Sequence, residues 1–183
     1  MNRKLKNFFS SVWEIVEVAL IAAVTVYLIR SFLVQPFLVS GASMEPNFSD
    51  GNYLLIDEIT YRFREPQRGE VVVFRYPLDR SLFFIKRIIG MPGERVVSQN
   101  GRIKIFADES GVSLDEEYLS GAKPNDNFDI KLGDEQYFVL GDNRYHSFDS
   151  RNWGAVSRKD IVGLTRLRIL PIRDFGLFEA PSY

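Results

Sequence analysis

The chain has 183 residues, of which 45% are hydrophobic and 26% charged, which suits one globular domain with a short appendage and argues against disorder. Lysine and arginine total 23 against 24 acidic residues, and the net charge of −1 offers no basic excess for nucleic-acid binding. Cysteine is absent and histidine occurs once, which excludes disulfides, cysteine nucleophiles and metal centres rich in thiolate or imidazole ligands.

The N-terminal segment predicts a single transmembrane helix over residues 7–30. Residues 18–29 are almost uniformly apolar, and extension back to residue 7 gives roughly 23 residues, or about 34 Å of helix, enough to cross a bilayer. An amphipathic helix lying on the membrane is disfavoured because the apolar character runs all round. A cleavable signal peptide with its cut after Ala42 is disfavoured because Ile29 ends the apolar run too early. An uncleaved signal anchor is the favoured interpretation.

The distribution of basic residues predicts the orientation of this anchor. Three basic residues precede the helix, whereas no lysine or arginine lies between Arg30 and Arg62. The positive-inside bias therefore predicts a basic cytoplasmic tail at 1–6 and a single-pass arrangement in the cell membrane, with residues 31–183 on the outer side.

The remainder of the chain predicts a mainly β fold, namely an all-β domain of antiparallel sheets behind the helix. Short β-branched and aromatic runs alternate with Gly, Asn and Asp turns. The predicted strands are Tyr53–Ile56, Glu70–Tyr76, Phe83–Ile89, Arg95–Val97, Arg102–Phe106, Gln136–Leu140 and Ile161–Ile169. Asn100-Gly101 is the strongest hairpin signal. The polar, acidic character of 107–135 predicts a smaller, non-catalytic excursion from this domain, which we place at 98–136.

Ser43 is the first residue that could carry chemistry. It follows a small-residue turn in the segment SGASMEPN, a short distance beyond the predicted helix. A serine between Gly, Ala and Met is more often a turn residue than a nucleophile, so the local sequence alone favours a structural role.

Lys86 is the second candidate, because it lies in an apolar strand. Phe84, Lys86 and Ile88 share one strand face by the two-residue period. One interpretation is an edge-strand lysine that discourages aggregation. The other is a desolvated lysine, whose pKa falls until the neutral amine can accept a proton; a chain without a usable histidine would need such a base.

The third candidate is the polar loop GDNRYHSFDSRNWG, residues 141–154. It combines the polar side chains of Asp142, Asn143 and Ser147 with an Asp149/Arg151 pair. A hydrogen-bonded structural loop would use the same residues. A Ser147–His146–Asp149 triad is disfavoured, because residues so close in sequence rarely converge in that geometry.

Four segments together carry a specific resemblance. SGASMEPN, GNYLLIDE, IKRIIGMPGERV and GDNRYHSFDSRNWG occur in this order behind the predicted anchor. In this arrangement the chain resembles the bacterial type I signal peptidases, the leader peptidase family of Ser/Lys proteases, from the anchor to about residue 163.

The resemblance implies a role for each matching residue. Ser43 would be the nucleophile and Lys86 the general base. Ser147 would hydrogen-bond the lysine, while Asp149 and Arg151 would brace the site. Asp142 and Asn143 belong to the same supporting motif.

The resemblance also implies the substrate and its binding mode. A signal peptide ending in a small-x-small sequence would bind as an added strand between 37–43 and 83–86. The residues that would line its pockets are Phe37, Val39, Met44 and Phe84. The Ser43 N–H would be one oxyanion donor. Some members have a serine at the position of Gly41, so the second donor would be the Gly41 N–H or a water.

The expected function is therefore that of a membrane-bound serine endopeptidase, which acts as a monomer without cofactor on exported preproteins. Its partners would be signal-peptide-bearing preproteins and the lipid bilayer, with no role for nucleic acid. One alternative is another Ser/Lys protease, such as a self-cleaving repressor-type peptidase. A second alternative is a catalytically silent, membrane-anchored β scaffold of the same fold.

Overall fold

The computed structural model describes residues 3–32, 34–108, 110–119 and 123–181. The α-helices are α1 (Arg3–Phe32), α2 (Thr60–Phe63) and α3 (Ser150–Trp153), and short 3-10 turns occupy Arg158–Asp160 and Ile172–Asp174. The strands are β1 (Val34–Leu38), β2 (Tyr53–Asp57), β3 (Val71–Tyr76), β4 (Asp79–Gly90), β5 (Arg95–Gln99), β6 (Arg102–Phe106), β7 (Val112–Ser113), β8 (Phe128–Lys131), β9 (Gln136–Leu140), β10 (Val156–Ser157), β11 (Ile161–Leu170) and β12 (Gly176–Leu177).

The N-terminal helix differs from its prediction. It already includes Arg3, so most of the predicted tail at 1–6 is helical, while residues 1 and 2 lie outside the described part. In the part of the chain that the structure describes, no helix combines the length and the apolar character needed to cross a membrane. The transmembrane anchor predicted over 7–30 is therefore not supported.

The mainly β prediction is confirmed. All seven predicted strands are present, as β2, β3, β4, β5, β6, β9 and β11, with limits that differ by a few residues at most. The strands that the sequence did not indicate are two to five residues long, and one of them, β1, contains Pro36 at a sheet edge, where a missing N–H is tolerated.

Two antiparallel sheets make up the β region. The larger one has eight strands in the order β1-β2-β11-β3-β4-β9-β10, with β12 paired to β11. The smaller one has the order β7-β6-β5-β8 and spans residues 95–131, close to the predicted excursion. Its β5–β6 hairpin turns at Asn100 and Gly101, which have φ of 51° and 73° as a type I′ turn requires.

The large sheet brings the segments around Ser43 and Lys86 together. β1 leads into the loop that carries Ser43, and Lys86 lies on β4, paired with Val72 of β3 just before the stretch of β4 that also pairs with β9. A core cluster that includes Met44, Phe48, Leu54 and Ile56, all without exposed surface, anchors the serine loop from below.

Candidate active site

Lys86 lies within hydrogen-bond distance of Ser43. Its side chain, only 4% exposed, donates from Nζ to Ser43 Oγ at 2.8 Å and to the Ile85 carbonyl at 2.8 Å. The ring of Phe84, two residues earlier on the same strand face, lies 5.6 Å from Nζ. Strand alternation thus places the amine against an apolar ring on one side and the hydroxyl on the other.

The electrostatics of Lys86 suit a proton acceptor. Burial lowers the pKa of Lys86 to about 8, and the nearby carboxylates of Asp149 and Asp142 oppose this shift without cancelling it. An amine with a pKa near 8 is neutral in an appreciable fraction of molecules near neutral pH. Such an amine can take the proton from a hydrogen-bonded hydroxyl.

Ser43 belongs to a loop without regular structure, and this loop is fixed by contacts with residues distant in sequence. Asn143 donates from its backbone N–H to the Ser43 carbonyl at 3.0 Å, and from Nδ2 to the Ala42 carbonyl at 3.1 Å. The adjoining Met44 is fully buried in the core. The loop is therefore held by the packing of Met44 in the core and by hydrogen bonds from the loop at 141–154.

Gly141 makes the closest backbone approach in the site. A Cβ at this position would lie 2.4 Å from the Ser43 carbonyl oxygen and 2.2 Å from Ser147 Oγ, so only glycine fits. Ser147 Oγ is buried beside it, and no described residue provides a hydrogen-bond partner for this atom. The hydrogen bond expected between Ser147 and Lys86 is therefore not formed in this arrangement, in which the Ile85 carbonyl holds the amine instead.

Two buried ion pairs flank the amine. Asp142 accepts from Arg87 Nε at 2.8 Å and from Nη2 at 2.6 Å, a bidentate pair that is almost entirely buried. Asp149 accepts from Arg151 Nε at 2.8 Å and from the Gly141 N–H at 3.0 Å. The sequence indicated three of these four charged residues as site support. It did not indicate Arg87, whose partner Asp142 lies 55 residues away.

The predicted oxyanion donors differ in their availability. Gly41 has φ of +91°, and its N–H donates to Asp50 Oδ1 at 2.7 Å, so this group is already engaged in this arrangement. The Ser43 N–H has no hydrogen-bond acceptor within the described residues. It is therefore free to receive a developing negative charge on a carbonyl oxygen.

A groove with a volume of about 300 Å³ runs beside the Lys86–Ser43 pair. Of the predicted pocket residues, Phe37, Val39 and Phe84 line it. Met44 does not, because the turn after Ser43 directs its side chain into the core, where it is fully buried. The lining residues that the prediction missed include Phe83, His146 and Phe148.

The groove lies between two unpaired strand edges. Among the described residues, β1 is the terminal strand of the large sheet and pairs only with β2. β4 pairs with β9 only from Arg87 onward, so within the same residues its first half has β3 on one side and no strand on the other. The backbone groups along both edges can accept an added strand.

Neither a histidine triad nor a metal centre is formed by the described residues. His146 lines the groove, but no hydrogen bond joins its side chain to Ser43, Ser147 or Asp149. No group of three or more His, Cys, Asp and Glu residues in the described part could hold a metal ion. The groups that the described residues bring into direct contact here are the Ser43 hydroxyl and the Lys86 amine.

Sequence comparisons with known proteins agree on one family. Residues 12–170 match the family described as signal peptidase, peptidase S26. The protein named probable signal peptidase I-2 in Synechocystis sp. is 39% identical over 155 residues, which cover 81% of this chain and 69% of that protein. Signal peptidase I P of Bacillus subtilis subsp. natto is 32% identical over 180 residues, covering 92% and 95%. A crystal structure of a signal peptidase I from Enterococcus faecalis aligns with a TM-score of 0.48 at 32% identity, over 55% of this chain and 97% of that one.

Proposed function

The chain belongs to the signal peptidase family, peptidase S26, and is a serine endopeptidase; from this premise we propose that Ser43 and Lys86 are its catalytic dyad in signal-peptide removal. The observation that carries the proposal is the 2.8 Å contact between Lys86 Nζ and Ser43 Oγ. The contact joins a hydroxyl to an amine that burial keeps partly neutral.

The proposed reaction has two stages. Neutral Lys86 takes the proton of Ser43 as Oγ attacks the carbonyl of the substrate's −1 residue, and the Ser43 N–H stabilises the oxyanion. The lysine then returns this proton to the leaving amine, which leaves an ester on Ser43. In the second stage Lys86 takes a proton from water, the resulting hydroxide attacks the ester, and the proton returns to Ser43 Oγ as the acid departs.

The groove supports an extended substrate. A peptide added between the edges of β1 and β4 would form main-chain hydrogen bonds with both, and its −1 and −3 side chains would point to the same wall. Phe37, Val39 and Phe84 form an apolar wall there. A small apolar residue fits against such a wall, whereas a charged one would lose its hydration without a partner.

We propose supporting roles for the residues around the pair, as the family pattern implies. The buried pairs of Asp142 with Arg87 and of Asp149 with Arg151 fix the loop whose backbone bonds Ser43. Ser147 would orient the amine once Lys86 releases the Ile85 carbonyl. The second oxyanion donor would be a water, because the Gly41 N–H is already used.

The remaining part of the proposal concerns the setting of the reaction. The protein would be attached to a lipid bilayer and would act as a monomer on exported preproteins. Large apolar side chains of α1, among them Trp13, Ile15 and Ile21, are more than half exposed. At the far end of the helix, Leu38, Tyr53 and Leu170 are also exposed and lie in register across β1, β2 and β11, so they share one sheet face. Apolar surface of this extent fits a lipid environment.

The proposed orientation, with the N-terminus in the cytoplasm, has a direct test. Protease added to intact spheroplasts should digest residues 60–180 and spare the N-terminus. Protection of the β region would contradict this orientation, and release of the intact chain by alkaline carbonate would contradict firm attachment to the membrane.

A preprotein panel tests the catalytic proposal. Variants of one preprotein carry Ala, Leu or Lys at −3, −2 or −1, and each is incubated with the full chain and with Ser43→Ala as the matched control. Cleavage should require a small residue at −1 and −3, tolerate all three residues at −2, and disappear in Ser43→Ala. Phe84→Ala should admit larger residues at −1 or −3.

Two outcomes would contradict the proposal in different ways. Efficient cleavage after Leu or Lys at −1 would refute the assignment of the groove. Absence of cleavage by the folded wild-type chain would favour the catalytically silent scaffold.

A further inference from the structure

One segment of the small-sheet region, residues 114–118, packs against the candidate active site. It follows β7 and includes Asp115 and Glu117, whose side chains are exposed, as expected for an acidic surface loop. Glu116 between them is only 4% exposed, and its carboxylate is fully buried. Burial of one carboxylate in an otherwise solvated acidic run requires a specific partner.

The partner of Glu116 is Arg144, in the loop at 141–154. Arg144 donates from both terminal nitrogens to the Glu116 carboxylate, and from Nε to the Gly141 carbonyl at 3.0 Å. Burial acts to raise the pKa of Glu116, but the charges of Arg144 and Lys123 hold it below its usual value, so the pair stays ionised. Glu116 therefore fixes the backbone at Gly141, the residue that approaches the Ser43 carbonyl most closely.

Tyr118 makes a second connection, toward Lys86. Its ring lies under the guanidinium of Arg87 at 4.2 Å, against the Arg87–Asp142 pair. Its carbonyl accepts from Asn47 Nδ2 at 3.1 Å, and the same nitrogen donates to Asp142 at 2.8 Å. Arg87 adjoins Lys86, and Asn47 lies four residues beyond Ser43, so Tyr118 contacts neighbours of both members of the dyad.

We propose that Glu116 and Tyr118 are positioning residues for peptide cleavage, through which the small-sheet region fixes the distance between Ser43 and Lys86. This inference rests on the proposed dyad. Neither residue touches the reacting atoms; each acts through an arginine, Glu116 through Arg144 and Tyr118 through Arg87. Reacting groups must be held to well under an ångström, so a loosened support reduces turnover more than it reduces substrate binding, which takes place along β1 and β4.

The test compares Glu116→Gln and Tyr118→Ala with Glu117→Gln, a control at the exposed neighbouring position. The full chain in detergent cleaves a preprotein, and kcat, KM and the thermal unfolding midpoint are measured for each variant. Glu116→Gln and Tyr118→Ala should lower kcat by roughly tenfold or more and leave KM within about twofold. Glu116→Asp, which restores the charge, should recover most of the loss, and Tyr118→Phe, which keeps the ring, should lose less than Tyr118→Ala.

Three results would overturn the inference while leaving the dyad intact. The first is an unchanged kcat in Glu116→Gln and Tyr118→Ala, and the second is a rise in KM in these variants without a fall in kcat. The third is a loss of kcat in Glu116→Gln that Glu116→Asp, although folded, does not repair. If Glu116→Gln does not fold, Glu116→Asp and the two Tyr118 variants decide in its place. A wild-type chain that cleaves no better than Ser43→Ala would instead refute the proposed function.

Discussion

The strand that carries Lys86 and the loop that carries Ser43 differ in what fixes them. Lys86 lies on β4, opposite Val72 of β3, and a continuous ladder of backbone hydrogen bonds determines its direction. Ser43 lies in a loop without a strand partner, and its place depends on Asn143, on the close approach of Gly141 and on core packing. Lys86 is held by local regular structure and Ser43 by contacts distant in sequence.

This difference has a mechanical consequence. A substitution near Lys86 leaves most of the backbone hydrogen bonds between β3 and β4 in place, so the strand keeps its direction. The loop that carries Ser43 depends on a few contacts, and one substitution can remove any one of them. We therefore expect a substitution of Lys86 to lower activity by removing the amine. A substitution around Ser43 should lower activity by displacing the loop that carries the hydroxyl.

The largest effect is expected at Lys86 itself. Lys86→Met keeps the volume of the side chain but removes the amine, so cleavage of a preprotein should fall by at least about 10³-fold. Lys86→Arg should be equally inactive, because a guanidinium does not lose its proton near neutral pH. Circular dichroism should show an unchanged fold in both. Substantial turnover by either variant would exclude lysine as the base.

Gly141→Ala tests the geometry of the serine loop. The added Cβ would overlap the Ser43 carbonyl oxygen and Ser147 Oγ, so the loop must move and kcat should fall by roughly 10- to 100-fold. Gly176→Ala is the matched control, because a Cβ there meets no atom closer than 4.0 Å. Equal kinetics for the two variants would show that the position of the serine loop does not limit catalysis.

The pH dependence reports the state of Lys86. Since only the neutral amine can accept a proton, kcat/KM should rise with pH to a plateau above about 8, and fall about tenfold per unit below it. Between about pH 8 and the usual lysine pKa the unfolded chain binds more protons than the folded one, so stability should also rise with pH there. Urea unfolding should show this rise in wild type and not in Lys86→Met; a matching slope in the variant would assign the titration elsewhere.

The smallest effect is expected at the C-terminal tail, which lies beyond the residues matched to the family. Phe178 packs on Phe48 at 4.2 Å between ring centroids, below the serine loop. Because Phe178 is half-buried, Phe178→Ala should lower the free energy of unfolding by about 1–2 kcal/mol, and kcat only a few-fold. Phe175→Ala, at an exposed position of the same tail, is the control for urea unfolding. Equal midpoints for the two would show that the tail does not support the loop.

The contrast between strand and loop also explains what the sequence could predict. Lys86 could be placed in an apolar environment because strand alternation is local, and the Asn100-Gly101 turn could be placed because its residue types select the conformation. The resemblance placed Met44 in the groove, and the sequence could not correct this because the direction of a side chain after an irregular turn has no local signal. Glu116 was missed because its partner, Arg144, is 28 residues away and nothing in an acidic run indicates which carboxylate is buried.

Burial of the Lys86 amine links substrate binding to proton release. A peptide that fills the groove would cover the part of Lys86 that is still exposed, which would lower the proton affinity of the amine further. Below about pH 8 the enzyme must then release protons as the peptide binds, and the dissociation constant must decrease as the pH rises. Calorimetric titration of an uncleavable peptide in buffers of different ionisation enthalpy would count these protons. Filling of the groove by the substrate peptide would thus contribute to activation of the amine as well as to affinity.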